Sequence, residues 1–99
     1  MILTTTENQT EADRLAELLV RNKLAACVQT TPIKSTYSWQ GEIHQDQELL
    51  LIIKTRVDRY QEVADLILNH HTYETPEIVQ IPITDGSQGY LDWITRNTH

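Results

Sequence analysis

A long β-hairpin is predicted by residues 25–55, which read AACVQTTPIKSTYSWQGEIHQDQELLLIIKT. The first arm places every second residue on one face, in the set Ile33, Ser35, Tyr37 and Trp39. Gln40-Gly41 supplies a tight turn, because glycine accepts the positive φ that such turns need. The second arm ends in the unbroken apolar run 49–53, which is typical of a strand buried on both faces. Pro32 marks a bulge or an edge position.

The residues on either side of this hairpin predict two helices, two more strands and a short last helix. Residues 2–6 are rich in β-branched side chains and predict a strand, and an amphipathic helix follows from Gln9 to Asn22 with Asn8 as its N-cap. A second helix, capped by Thr55 with Asp58, reaches about His70. Residues 76–84 form another strand, and Ser87 caps the final helix.

This order of elements predicts one domain over residues 1–99 of the α+β class. The pattern is a ferredoxin-like βαββαβ fold with a short C-terminal helix, in which both long helices cover one face of the sheet. The outer half of the hairpin, residues 35–46, projects beyond so small a core. Tyr37 and Trp39 would then be exposed on an unpaired edge, so we expect a neighbouring subunit to cover them.

Composition excludes several classes of function. Fourteen acidic and eight basic residues give a net charge of −6, and no basic run is present, so we expect no nucleic-acid partner. The longest apolar run, 49–53, is too short to span a bilayer, and with no signal peptide and a single free cysteine we expect a cytoplasmic protein. No nucleophile elbow, phosphate-binding glycine loop or paired-carboxylate motif is found, so we expect no enzymatic activity.

Several separate motifs, in the same order along the chain, resemble the CutA divalent-cation-tolerance family. The resemblance covers almost the whole chain and rests on LAACV at 24–28, STYSWQGEI at 35–43, Glu48, IIKT at 52–55, HHTYETPEI at 70–78 and YLDWI at 90–94. It implies an intertwined homotrimer of ferredoxin-like subunits, similar to the PII signalling proteins. It also implies a role in tolerance of divalent cations, with copper or another divalent cation as the bound ion and no catalysis, and it gives no protein partner for this chain.

The resemblance points to His70 and His71 as copper ligands, and imidazole suits copper and zinc. Adjacent residues point about 100° apart on a helix, so both reach one ion only across a turn. The alternative is a polar helix end, where a histidine complements the helix dipole. The family's third proposed ligand is a cysteine on the first strand. Thr4 stands there in this chain, and a hydroxyl is a poor ligand for a soft cation. Cys27 is an alternative ligand, although its apolar neighbours predict a core position.

Two further groups of side chains are candidates for binding. His44 alternates with acidic residues at 42, 46 and 48 on one strand face, which predicts either a weak cation site or, as we favour, a solvated face. If a trimer forms, a hairpin from one chain would face the 73–74 segment of another. An intersubunit cleft for a small ligand or partner would then be lined by Tyr37, Trp39, Lys54, Tyr73 and Glu74, unless the aromatic residues simply pack the interface.

Overall fold

The structure is a computed structural model that describes residues 1–99. A single antiparallel sheet in the order β2-β3-β1-β4 carries the fold, and this is the ferredoxin-like arrangement that the sequence predicted. The elements, in chain order, are β1 (Ile2–Thr6), α1 (Gln9–Arg21), β2 (Cys27–Trp39), β3 (Glu42–Lys54), a 3₁₀ turn (Val57–Arg59), α2 (Tyr60–His70), β4 (Ile78–Gln80) and α3 (Gln88–Arg96).

The core lies between one face of the sheet and the helices α1 and α2. Leu51 and Ile53 are fully buried on that face, while Ile52 between them is only half-buried on the other. Leu51 pairs with Thr4 of β1, and Ile53 pairs with Ile2, so these four side chains share the face that the helices cover. The buried cluster comprises Ile2, Ala12, Leu15, Leu19, Ala25, Leu51, Ile53, Val63 and Ile67.

The long hairpin forms as predicted, and its arms pair without a bulge from Cys27 opposite Lys54 to Trp39 opposite Glu42. The turn residues Gln40 and Gly41 have φ values of 50° and 79°, as expected for the mirror-image turns that suit hairpins. Pro32 lies on β2, which is an edge strand of the sheet, so its missing N–H costs no ladder bond. The hairpin makes the chain elongated, with a longest dimension of 45 Å.

Of the three predicted helix caps, only Asn8 is confirmed by a side-chain hydrogen bond, since Ser87 precedes α3 without making one. Asn8 caps α1 as predicted, since its side-chain oxygen accepts a hydrogen bond from the Glu11 N–H at 2.9 Å. Thr55 caps no helix. It is buried, and its hydroxyl instead donates to the Leu24 carbonyl at 2.6 Å, so α2 is entered through the 3₁₀ turn.

The predicted strand over residues 76–84 is much shorter in the structure. Only Ile78–Gln80 forms a strand, because β1 is its sole neighbour and begins at Ile2. Beyond Gln80, the Ile81 N–H donates to the Met1 carbonyl and the Ile81 carbonyl accepts from the Met1 ammonium, each at 2.8 Å. Residues 82–87 continue without strand pairing and are exposed. The edge of β4 therefore ends in an apolar segment that contains the exposed Ile81 and Ile83.

Three exposed apolar side chains lie at the far end of the hairpin. We call Tyr37, Trp39 and Ile43 the hairpin tip, and their exposed fractions are 42%, 58% and 73%. These values confirm that the outer half of the hairpin projects beyond the core of its own chain. No helix of the protein has both the length and the apolar content needed to cross a bilayer.

Candidate functional site at the end of the second helix

The two candidate histidines lie at the point where α2 ends. His70 is the last helical residue, and His71 turns the chain into an extended conformation with φ −81° and ψ 146°. The His70 ring is exposed and makes no hydrogen bond, while its carbonyl accepts one from Arg14. The structure therefore presents one free imidazole at this position, and the adjacent one is in a different environment.

Both ring nitrogens of His71 are hydrogen-bonded. Its Nε2 lies 2.7 Å from the carbonyl oxygen of Thr5 in β1, and its Nδ1 accepts the backbone N–H of Tyr73 at 3.0 Å. The ring also packs against the Tyr73 ring, with centroids 4.8 Å apart. His71 thus ties the segment after α2 to the first strand.

Tyr73 makes a second connection, to the long hairpin. Its hydroxyl donates to Glu48 Oε2 at 2.8 Å, and Glu48 lies on β3. Burial, then this hydrogen bond, then the negative charges of Glu48, Glu7 and Asp46 raise the pKa of Tyr73 above its usual value of 10.0. The phenol therefore remains a hydrogen-bond donor throughout the physiological pH range.

The structure does not bring the other predicted ligands to this position. Thr4 is fully buried on the helix-facing side of β1, and its Oγ1 makes no hydrogen bond, to an imidazole or to any other group. Cys27 is a half-buried free thiol that pairs with Lys54 of β3. Thr5, which contacts His71, pairs with Leu50, four residues from Lys54 along the same strand. That spacing corresponds to about 13 Å. No group of three or more His, Cys, Asp or Glu side chains in the chain is arranged to hold a metal ion.

The polar face of the hairpin has the alternation that the sequence predicted. Tyr37 lies opposite His44, their rings stack at 5.7 Å, and the Tyr37 hydroxyl donates to Asp46. This hydrogen bond is the main cause of a raised pKa of Tyr37. Glu42 approaches His44 Nε2 to 3.9 Å and both acidic residues are exposed, so the face is open to solvent.

The residues of the predicted cleft are separated within one chain. Tyr37 pairs with His44, and Lys54 lies ten residues further along β3, which corresponds to about 33 Å. The Lys54 Nζ lies 5.6 Å from the centre of the Tyr90 ring, which stacks on Trp93. Glu74 is exposed beside Tyr73. Such a cleft can therefore form only between chains.

Sequence reasoning missed three partners that organise these contacts. Glu48 was predicted to lie on the polar face of the hairpin, and it does, but its hydrogen bond to Tyr73 joins residues 25 positions apart and has no local sequence signal. The Thr5 carbonyl is a backbone atom 66 residues from His71, for which no side-chain pattern exists. Tyr90 was noted only as part of a C-terminal motif. Its spacing of three from Trp93 on a helix is the signal that would have placed the two rings together.

Comparison with known proteins gives one consistent result. Residues 1–97 match the family model described as CutA1 divalent ion tolerance protein. The divalent-cation tolerance protein CutA of Thermus thermophilus is 41% identical over 99 residues, covering 99% of this chain and 96% of that protein. The protein of that name from Archaeoglobus fulgidus is 46% identical over 84 residues, covering 85% and 82%. The solved structure of the periplasmic divalent cation tolerance protein CutA from Archaeoglobus fulgidus superposes with a TM-score of 0.95 at 43% identity, covering 97% of this chain and 94% of the other.

Proposed function

The chain belongs to the CutA1 divalent ion tolerance family, and from that membership we propose that it serves divalent-cation tolerance as an intertwined homotrimer that binds copper or another divalent cation. The observation that carries the proposal is the hairpin tip, whose apolar side chains are exposed beyond the core of their own chain. The proposal includes a binding role without catalysis and a cytoplasmic location.

Assembly is supported by two unpaired parts of the chain. The outer edge of β2 is free along its 13 residues, and the segment after β4 carries the exposed Ile81 and Ile83 without a strand partner. Unpaired edges with apolar side chains favour pairing with another chain. We propose that the hairpin of one subunit covers the free edge of the next. The number of subunits, three, is taken from the family resemblance.

The cation is proposed to bind at the end of α2. Two imidazoles fit copper(II) or zinc by their donor chemistry. His70 offers its ring directly, whereas His71 offers a ring nitrogen only after giving up a hydrogen bond. The Thr4 hydroxyl does not fit as a third ligand, because it is fully buried, makes no hydrogen bond to either imidazole and is a poor ligand for soft cations.

Native mass spectrometry with copper(II) and zinc tests assembly and binding together. We expect a trimer that takes up a fixed number of ions in the presence of a competing chelator. His70→Ala and His71→Ala should each abolish that uptake, and His44→Ala, which removes an imidazole from the hairpin face, should leave it unchanged. A monomer would refute the assembly, and uptake that never saturates, or that His44→Ala alone removes, would refute the site.

A second candidate function, PII-like binding of a small ligand or partner, is favoured by one observation. The Lys54 ammonium lies over Tyr90 at the opposite end of β3 from the hairpin turn, where a neighbouring subunit could add aromatic residues to a cationic and aromatic surface. This function predicts ligand binding that is weakened by Lys54→Gln or Glu74→Gln and unaffected by His70→Ala. Thermal-shift measurements of the three variants with a panel of small anionic metabolites distinguish it from cation binding.

A further inference from the structure

The proton positions on His71 follow from its two hydrogen bonds. A backbone N–H can only donate, so the His71 Nδ1 that receives the Tyr73 N–H carries a lone pair. A carbonyl oxygen can only accept, so the Nε2 that meets the Thr5 oxygen carries the proton. His71 is therefore a neutral imidazole whose single lone pair is already in use.

The segment after α2 is held to the sheet by these bonds and by one more. His71 fixes it to β1, and the Tyr73 hydroxyl fixes it to Glu48 of β3. We call these three hydrogen bonds the latch: His71 to the Thr5 carbonyl, the Tyr73 N–H to His71, and the Tyr73 hydroxyl to Glu48. Residues 71–77 have no helix or strand of their own, so the latch is the main polar attachment of this stretch before β4 begins at Ile78.

A metal ion needs the same lone pair that the latch uses. Binding through Nδ1 requires the Tyr73 N–H to leave. Binding through Nε2 requires the ring proton to move to Nδ1, which breaks both the Thr5 and the Tyr73 contacts. We propose that cation binding at His71 opens the latch, so that the ion and the closed 71–77 segment exclude each other. This inference rests on the proposed cation site, and it adds the conformational change through which that site would be regulated.

The coupling has a direction that can be measured. Because linkage is reciprocal, any change that weakens the latch without touching an imidazole must strengthen cation binding. Tyr73→Phe is such a change, since it removes the bond to Glu48 and keeps the backbone N–H, the ring and both histidines. A hydrogen bond to a charged group is stronger than one between neutral groups, and partial exposure reduces its contribution. We therefore expect zinc to bind Tyr73→Phe about fivefold more tightly, or about 1 kcal/mol.

The experiment measures zinc affinity by competition with a chromophoric chelator, in wild type, Tyr73→Phe and Tyr60→Phe. Tyr60 is the matched control, because it begins α2 and its hydroxyl makes no hydrogen bond. Long-range ¹H–¹⁵N spectra of the metal-free and zinc-loaded proteins report the His71 tautomer and the Tyr73 amide. Support consists of tighter binding by Tyr73→Phe alone, together with loss of the Nδ1 hydrogen bond on loading.

The possible results separate the two proposals. Saturable zinc binding with equal affinity in all three proteins would overturn the latch and leave the cation site standing. A metal-free His71 protonated on Nδ1 would overturn the latch whatever the affinities are. Absence of saturable binding in every variant would overturn the cation site and the latch with it.

Discussion

Replacing Thr4 by valine should stabilise the protein. The Thr4 side chain is fully buried, and its Oγ1 has no hydrogen-bond partner. Valine has nearly the same shape, so the substitution removes an unpaired polar group and leaves the packing against Leu51 in place. Since a buried polar group without a partner costs about 1–3 kcal/mol, we expect the free energy of unfolding to rise by about 1–2 kcal/mol.

Thr6→Val is the matched control with the opposite expected sign. Thr6 lies two residues along on the same strand face and is equally buried, but its hydroxyl donates to the Asn8 carbonyl at 3.1 Å. Removing that donor loses a satisfied hydrogen bond, so the free energy of unfolding should fall by about 1 kcal/mol. The same chemical change thus distinguishes a partnered from an unpartnered hydroxyl.

Equilibrium unfolding in guanidinium chloride, followed by far-UV circular dichroism, measures both effects. The three proteins are compared at one chain concentration, because an oligomer's stability depends on it. The midpoints should move in opposite directions while the slope m stays constant. A Thr4→Val protein less stable than wild type, or two variants that shift in the same direction, would refute the reasoning about the Thr4 hydroxyl.

Three other outcomes follow from the structure. The pKa of Tyr73 is raised above 10.0, so the stabilisation that its neutral phenol provides is complete below about pH 10 and is lost at higher pH. In urea unfolding from pH 9 to 11, the stability advantage of wild type over Tyr73→Phe should therefore shrink. The decrease should be smaller than the one-proton limit of about 1.4 kcal/mol per pH unit, because the ring is partly exposed. Gly41→Ala should lower the free energy of unfolding by about 1 kcal/mol in the same assay, because φ at this residue is +79°. Gly89→Ala in α3 should raise it by about 0.5 kcal/mol, because an added Cβ meets nothing within 4 Å there. Equal effects of the two substitutions would contradict the role given to the turn glycine. Thr4→Cys, which places a thiol where the resemblance implied one, should add no copper(I) in native mass spectrometry because the side chain of residue 4 is fully buried and makes no hydrogen bond to either histidine; an extra ion would show that this position reaches the histidines.

Local patterns predicted most of the fold because the signals that define these elements lie close together in the sequence. Alternation and a Gly turn specified the hairpin, and Asn8 specified the start of α1. The errors arose where a partner elsewhere decides the outcome. The strand after Pro76 stops at Gln80 because β1 offers nothing further to pair with, and Thr55 caps no helix because its hydroxyl bonds to Leu24, 31 residues away.

The candidate site was predictable as a set of residues and not as an arrangement. The histidines at the end of α2 were found from the sequence, and the helix ends where predicted. Which ring is free was not predictable, because the Thr5 carbonyl and Glu48 reach this region only through the packing of β1 and β3. The sequence pattern does not distinguish His70 from His71, whereas in the fold His71 is hydrogen-bonded to the backbone of Thr5 and Tyr73.

The latch also determines how weak cation binding should be interpreted. With a net charge of −6, each chain attracts cations diffusely, and salt screens that attraction within about 8 Å at physiological ionic strength. Coordination by an imidazole nitrogen is much less sensitive to salt, but at His71 it must overcome the Tyr73 contact. Zinc affinity that persists in 0.5 M sodium chloride and increases with Tyr73→Phe would therefore identify the site, whereas affinity that disappears with salt in both proteins would identify only the acidic surface.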